Sequence, residues 1–213
     1  MKIFSKLRFL LTLVMALVTL PLAAAAESPA AAVVRTSTER ILAEIKARRS
    51  EFEANDQVLN DFIRDELDKV FDTPYSARLV LGVHSRSATP EQITAFGKAL
   101  SNNLMKRYCT ALLKTASDTR LKMLGESALS GGKIIRVKSQ IARGDGGVPV
   151  AVDYLLRDVS GQWRAFDVII EGVSYVQTFR SQFDPLLRSK GIDAVTRDLQ
   201  EGRIEADPDA GRK

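Results

Sequence analysis

Hydrophobic residues recur with the period of an α-helix along the first half of the chain. Residues 29–54 and 58–71 each place an apolar stripe opposite charged residues, which predicts an outer amphipathic helix followed by a second one. Residues 75–81 predict a short helix that ends at Gly82. The first part of the protein is therefore expected to be helical.

The longest helical pattern begins at Thr89. The sequence TPEQ supplies an N-cap, a proline at the first helical position and a glutamine three residues after the cap. The apolar positions at helical spacing behind it include Phe96, Leu100, Leu104 and Tyr108. A helix of this length can lie beneath a whole β-sheet.

After residue 117 the apolar period changes to two, which is typical of β-strands. Four strands are predicted, at residues 120–124, 133–143, 148–158 and 163–170. Glycine-containing turns separate them, so consecutive strands are expected to pair as an antiparallel meander. In the third strand, Val152 and Tyr154 belong to a face that is entirely apolar.

The stretch 163–183 begins as a strand and ends as a helix. Strict alternation divides the strand into two faces, one with residues 164, 166, 168 and 170 and the other with residues 163, 165, 167 and 169. Ser174, with Gln177 three residues later, has the form of a capping box that starts the helix. This helix is apolar near one side. The corner therefore favours an interior larger than simple packing requires.

The end of the chain is less apolar. Residues 192–199 predict a short amphipathic helix on the surface, and residues 202–213 predict a disordered tail. The order of elements predicts a single α+β domain over residues 27–201, with scope for a small helical subdomain. Its expected architecture is a twisted antiparallel meander of four or five strands wrapped by helices, cone-like with an apolar cavity.

Residues 1–26 predict a Sec-type signal peptide that is cleaved after Ala26, with an uncleaved anchor as the alternative. Three basic residues precede an apolar run, and alanines occupy the cleavage positions. Its removal takes three positive charges from 31 Lys and Arg against 26 Asp and Glu, which leaves a net charge of +2. No basic block that could follow a phosphate backbone is present, so a nucleic acid partner is not expected.

Few residues suggest chemistry, since no nucleophile elbow, phosphate loop, dinucleotide fingerprint or paired-cysteine metal motif occurs. The single Cys109 is expected to be a buried, inert thiol, and the single His84 an exposed loop side chain. Asp167 is a candidate general base because it lies in an apolar strand. The simpler interpretation is an ion-paired or hydrogen-bonded carboxylate that locks the corner, with Arg164, Arg180 and Glu171 nearby in sequence.

Several short sequences occur together along most of the mature chain. They are Asp72 with LVLG at 79–82, TPEQ at 89–92 with Phe96 and Tyr108, VDY at 152–154, and Asp167 with EGVS at 171–174 and RSQF at 180–183. With these the chain resembles the MlaC family, periplasmic phospholipid-binding proteins of the maintenance-of-lipid-asymmetry pathway, also called toluene-tolerance auxiliary proteins. It departs from the family at residues 84–86, where relatives often carry an aromatic residue.

The resemblance implies a periplasmic carrier that has no catalytic residues and no cofactor, with phospholipid as its ligand. Such a carrier moves lipid between an outer-membrane lipoprotein–porin complex and an inner-membrane ABC transporter with an MCE-domain protein, and it is expected to be a monomer. It also implies roles in outer-membrane asymmetry and in organic solvent tolerance. The expected lipid-binding residues are Phe96, Leu100, Leu104, Tyr108, Val152, Tyr154, Phe166, Val168, Ile170, Val173, Tyr175, Val176, Phe179 and Phe183.

Two other hypotheses remain open at this point. One is a small pocket enzyme that uses Asp167 as a general base, and the other is a periplasmic adaptor that binds no lipid and has a fully packed interior. Aromatic stripes ordinarily indicate a packed core, so the size of the interior distinguishes the adaptor from a carrier.

Overall fold

The computed structural model describes residues 27–115, 118–142, 146–208 and residue 210. The signal peptide predicted at residues 1–26 lies outside the described residues. The elements in chain order are α1 (Pro29–Ala47), α2 (Arg49–Ala54), α3 (Asp56–Val70), α4 (Thr73–Leu81), α5 (Pro90–Thr115), β1 (Arg120–Leu129), β2 (Ile134–Ala142), β3 (Val150–Val159), β4 (Gln162–Ile170), β5 (Val173–Ser174), α6 (Tyr175–Lys190) and α7 (Ile192–Gln200).

The five strands form one open antiparallel sheet in the order β1-β2-β3-β4-β5. The predicted α+β class and antiparallel meander are therefore confirmed. β1 is longer than predicted, because it continues past a bulge between Met123 and Gly125 and pairs with β2 up to Leu129. The fifth strand follows β4 after Glu171 and Gly172, which have φ values of 50° and 81° and so form a tight two-residue hairpin turn.

A second bulge, in β4, changes which residues share a face of the sheet. Leu155 pairs with Asp167, but the next residue of β3, Leu156, pairs with Ala165, so Phe166 is an extra residue in its strand. As a consequence Ala165 lies on the same face as Val168. The strict alternation predicted for this strand is wrong on the N-terminal side of Phe166.

The helices pack around three clusters of buried side chains. One joins α4, α5, α6 and α7, a second joins α1, α2, α3 and α5, and a third joins the start of α1 to the sheet. The long helix α5 packs chiefly against helices α2, α3, α4 and α7, so it does not form a floor under the whole sheet. Within the described ranges, no helix is both long enough and apolar enough to cross a membrane.

Helix α1 is shorter than predicted, since it ends at Ala47 and a separate helix α2 starts at Arg49. Its first turns bury Ala30 and Val34 on the sheet, whereas Ile45 near its end is buried among other helices. The helix therefore bridges the sheet and the helical part of the protein.

The segment after α7 differs from the predicted disordered tail. Ala206 is fully buried. The side chain of Asn103 in α5 donates to the carbonyl groups of Leu199 and Ile204 and accepts from the N–H of Ala206, at 2.9–3.1 Å. Gln182 in α6 binds the same segment through the carbonyl of Glu205 and the N–H of Asp207. Residues 203–207 thus form a strap across α5 and α6.

Candidate functional site

An apolar cavity of about 230 Å³, here cavity A, lies between the helices and β4. Its walls come from the end of α3, from α4, α5 and α6, and from the bulged part of β4. The lining residues are Leu67, Asp68, Phe71, Thr73, Ser76, Ala77, Val80, Gly97, Leu100, Ser101, Leu104, Met105, Phe166, Asp167, Val168, Tyr175, Val176 and Phe179.

A second apolar cavity of about 270 Å³, here cavity B, lies between α1, α3 and the sheet. It shares Leu67, Phe71 and Val168 with cavity A, so the two cavities are neighbours on either side of these side chains. Its other lining residues are Val33, Val34, Ser37, Thr38, Ile41, Leu42, Val70, Leu112, Thr119, Ile141, Tyr154 and Ala165.

Cavity A depends on a close approach of α4 to α5 at Gly97. A Cβ atom at this position would lie 3.1 Å from both the Cβ of Ala77 and the Cγ2 of Thr73. Contacts this short are tighter than most Cβ contacts, so a larger residue would require Ala77 or Thr73 to shift by a few tenths of an ångström. The helix pair forms one wall of the cavity.

The junction of α3 and α4 is held against the sheet by Asp72. Its N–H donates to the carbonyl of Ala165 at 2.7 Å, and its carboxylate accepts from the N–H of Tyr75 and caps α4. The same carboxylate pairs with Arg157 at 2.6 Å, and the Arg157 guanidinium lies 4.2 Å from the centre of the Tyr75 ring. Phe71, one residue earlier, is therefore fixed between the two cavities.

Asp167 joins β4 to the start of α6. Its Oδ2 accepts from the Ser174 hydroxyl at 2.6 Å and its Oδ1 from the N–H of Val176 at 3.0 Å. Burial raises the pKa of this carboxyl, and these hydrogen bonds oppose the rise. No ion pair between described residues involves Asp167, so the predicted corner lock consists of hydrogen bonds. The Ser174 hydroxyl also accepts from the N–H of Gln177, as the capping box predicts.

Polar groups are few in cavity B. Burial raises the pKa of the Tyr154 hydroxyl, and a hydrogen bond with Thr38 acts in the opposite direction. Both cavities therefore suit an apolar ligand better than a charged one.

Of the expected lipid-binding residues, the structure brings a majority together around the cavities. Tyr154 lines cavity B, and Val168 lines both cavities. Those at cavity A are Leu100, Leu104, Phe166, Val168, Tyr175, Val176 and Phe179.

The remaining six expected residues lie elsewhere. Phe96 and Phe183 are fully buried in the cluster of α4 to α7, where their rings meet edge-on at 5.8 Å. Both side chains are used in packing. Neither cavity is lined by the other four, Tyr108, Val152, Ile170 and Val173.

Sequence reasoning missed the contribution of the first helices. Leu67 and Phe71 of the α3 region, Val80 and Gly97 on the facing helices, and Ile41 in α1 all line a cavity. The amphipathic stripes were visible in the sequence, but a stripe that faces a cavity has the same period as one that faces a packed core.

The two other candidates for chemistry lie outside both cavities. His84 is in a 3-10 helix, not an exposed loop as expected, and its Nε2 lies 3.0 Å from Oδ1 of Asp184. Hydrogen bonds from His84 and Arg188 hold the pKa of the Asp184 carboxyl below its usual value. Cys109 is buried as expected, and burial raises the pKa of its thiol to about 11. No cluster of potential metal ligands occurs among the described residues.

Sequence comparisons relate the chain to proteins of known families. The family model described as MlaC protein matches residues 35–201. The toluene tolerance protein ttg2D of Pseudomonas putida is 29% identical over 173 residues, which cover 81% of this chain and 79% of that protein. The intermembrane phospholipid transport system binding protein MlaC of Haemophilus influenzae is 24% identical over 202 residues, which cover 94% of this chain and 92% of that protein.

A solved structure has the same fold. It is that of a phospholipid-binding protein from Ralstonia solanacearum in complex with a phospholipid. The TM-score is 0.73 and the sequence identity 23%, and the match covers 82% of this chain and 96% of that one.

Proposed function

The chain belongs to the MlaC family, and we propose that it is a phospholipid carrier which buries acyl chains in cavities A and B. The observation that carries the proposal is the pair of adjoining apolar cavities between the helices and the sheet. The names of the relatives from Haemophilus influenzae and Ralstonia solanacearum, which refer to phospholipid transport and phospholipid binding, support the same ligand.

Acyl chains are costly to expose to water, so a lipid needs a carrier to cross an aqueous space. Burial of the same chains in the protein provides the binding affinity. At about 0.8 kcal/mol per buried methylene, two chains with roughly 14 methylenes each represent on the order of 20 kcal/mol of exposure to water. Free lipid would therefore cross an aqueous space very slowly. The cavities are lined almost entirely by carbon, so chain burial dominates binding and different headgroups are tolerated.

The proposal includes the place and the partners of the carrier. We place the mature protein in the periplasm, after export by the signal peptide of residues 1–26. There it shuttles lipid as a monomer between an outer-membrane lipoprotein–porin complex and an inner-membrane ABC transporter with an MCE-domain protein. This activity maintains the lipid asymmetry of the outer membrane.

An enzyme that uses Asp167 as a general base has less support from the geometry. Both oxygens of this carboxylate already accept hydrogen bonds, from Ser174 and from the N–H of Val176. The only histidine pairs with Asp184 away from both cavities. The adaptor hypothesis requires a fully packed interior, which the two cavities do not provide.

The central test is the lipid content of the purified protein. We expect protein purified from its own periplasm to release phospholipid on extraction with organic solvent, as detected by mass spectrometry. Val168→Glu places a charge on the wall that both cavities share, and since a carboxylate is costly to bury with acyl chains, this variant should lose the lipid. Wild-type protein that carries no phospholipid would contradict the proposed function.

A matched control makes the same change at an exposed valine. Val148 is 86% exposed, so Val148→Glu should keep the lipid content of the wild type. Circular dichroism of both variants tests whether they are folded. Equal lipid content in Val168→Glu and wild type would show that the chains bind elsewhere.

A further inference from the structure

Two cavities of similar volume flank one wall of side chains. Cavity A has about 230 Å³ and cavity B about 270 Å³. Pockets that bury a small ligand commonly have about 300–1,000 Å³. Either cavity alone therefore lies below this range, whereas the two cavities together lie within it.

The wall between them is built to stay in place. It consists of Leu67 and Phe71 on one side and Val168 of β4 on the other. The backbone at Phe71 forms a parallel bridge to Ala165, next to the bulge of β4. The ion pair of Asp72 with Arg157 holds the following residue. The backbone of Phe71 is therefore held both at its own position and at the next residue. A side chain on such a fixed backbone separates two cavities more reliably than one on a mobile loop.

One residue of the cavity A lining beside this wall is exposed to solvent. Asp68 lines cavity A, follows Leu67 directly in α3, and is exposed. A headgroup placed beside Asp68 would remain in water.

We propose that the two acyl chains of one phospholipid occupy separate cavities, one in A and one in B, with the Leu67–Phe71–Val168 wall between them. This inference rests on the proposed function. On this inference, the wall separates the two chains and so adapts the site to a lipid that has two acyl chains.

The test blocks one cavity at a time. Ser101 lines only cavity A and Ser37 only cavity B, so Ser101→Phe and Ser37→Phe each fill one cavity with a ring. The probes are dipalmitoyl phosphatidylglycerol and its single-chain lyso form, offered to full-length mature protein freed of lipid. Each variant should bind the diacyl lipid at least about tenfold more weakly than wild type and keep its affinity for the lyso lipid.

Three results would overturn the inference. Undiminished diacyl binding in either variant would place both chains in the cavity that remains open. Loss of lyso lipid from either variant would indicate one continuous site. Wild-type protein that binds neither lipid would overturn the proposed function itself, and the inference with it, so the two failures are distinguishable.

Folding of the variants is controlled in two ways. Ser50→Phe adds the same ring at an exposed position of α2 that lines neither cavity, and it should bind both lipids as wild type does. If a phenylalanine variant does not fold, Ser101→Leu or Ser37→Leu fills the same cavity with a smaller side chain. The leucine variants should show the same selective loss of the diacyl lipid.

Discussion

At the scale of single residues, Asp167 is the carboxylate that ties the sheet to α6. Asp167→Ala would leave the Ser174 hydroxyl and the N–H of Val176 without their acceptor. We expect this variant to lower the free energy of unfolding by about 2–3 kcal/mol, because both groups are partly buried. Urea unfolding followed by circular dichroism measures the change. Asp167→Asn keeps an oxygen for Val176 and should lose less than about 1 kcal/mol; equal losses would contradict the assigned role.

The same carboxylate also predicts a pH dependence of stability. Burial raises the pKa of Asp167 above its ordinary value of 3.8. Between that value and the raised pKa, the folded state binds more protons than the unfolded state, so the free energy of unfolding falls as the pH rises. Above the raised pKa this contribution is constant.

Asp167→Asn removes this titration and leaves all other carboxylates in place. We expect the stability of wild type relative to Asp167→Asn to decrease as the pH rises from about 3 through this window. Urea unfolding of both proteins across the range measures the difference. A relative stability that increases with pH would show that the Asp167 pKa is lowered.

At the scale of elements, the close packing of α4 against α5 at Gly97 can be tested by substitution. Gly97→Val would place a branched side chain against Ala77 and Thr73, which a Cβ atom alone would already meet at 3.1 Å. We expect a loss of stability of about 1–3 kcal/mol from overpacking, together with weaker phospholipid binding because the wall of cavity A shifts. Thermal unfolding and lipid binding measure the two effects.

The control for this variant lies on the same helix. Thr94 is exposed in α5, so Thr94→Val places the same side chain on this helix without a clash. It gives up an exposed hydrogen bond to the Pro90 carbonyl and should change stability by less than about 0.5 kcal/mol. A Gly97→Val protein as stable as Thr94→Val would mean that the two helices can separate without cost.

The elements also show what periodicity can and cannot predict. Helix starts at Thr89 and Ser174 were predicted correctly, because capping is local and leaves a signal in three or four residues. The face of the sheet on which Ala165 lies was predicted wrongly, because a bulge depends on pairing with a neighbouring strand. The contribution of Phe71 to both cavities was missed for a related reason, since its position depends on contacts with β4 and Arg157 through Asp72.

At the scale of the whole molecule, hydrophobic periodicity predicted the helix–sheet–helix order but not how the parts join. The polar sequence after α7 predicted disorder, yet residues 203–207 pack across α5 and α6. A few hydrogen bonds to buried or partly buried amides order this segment, and they come from Asn103 and Gln182, far away in sequence. Composition averaged over a segment cannot reveal such partners.

The strap of residues 203–207 therefore predicts a link between the C-terminus and lipid retention. Deleting residues 203–213 removes the buried Ala206 and leaves the Asn103 amide with only the Leu199 carbonyl as partner. We expect a loss of about 2–4 kcal/mol in the free energy of unfolding. Because α5 and α6 both line cavity A, their separation should also speed the transfer of a fluorescent phospholipid to acceptor vesicles. Arg107→Ala breaks the exposed ion pairs with Glu205 and Asp207 and the ring contact with Tyr108, and it should change stability by less than about 1 kcal/mol. A deletion that matches this control in stability and transfer rate would show that the strap does not hold the helices together.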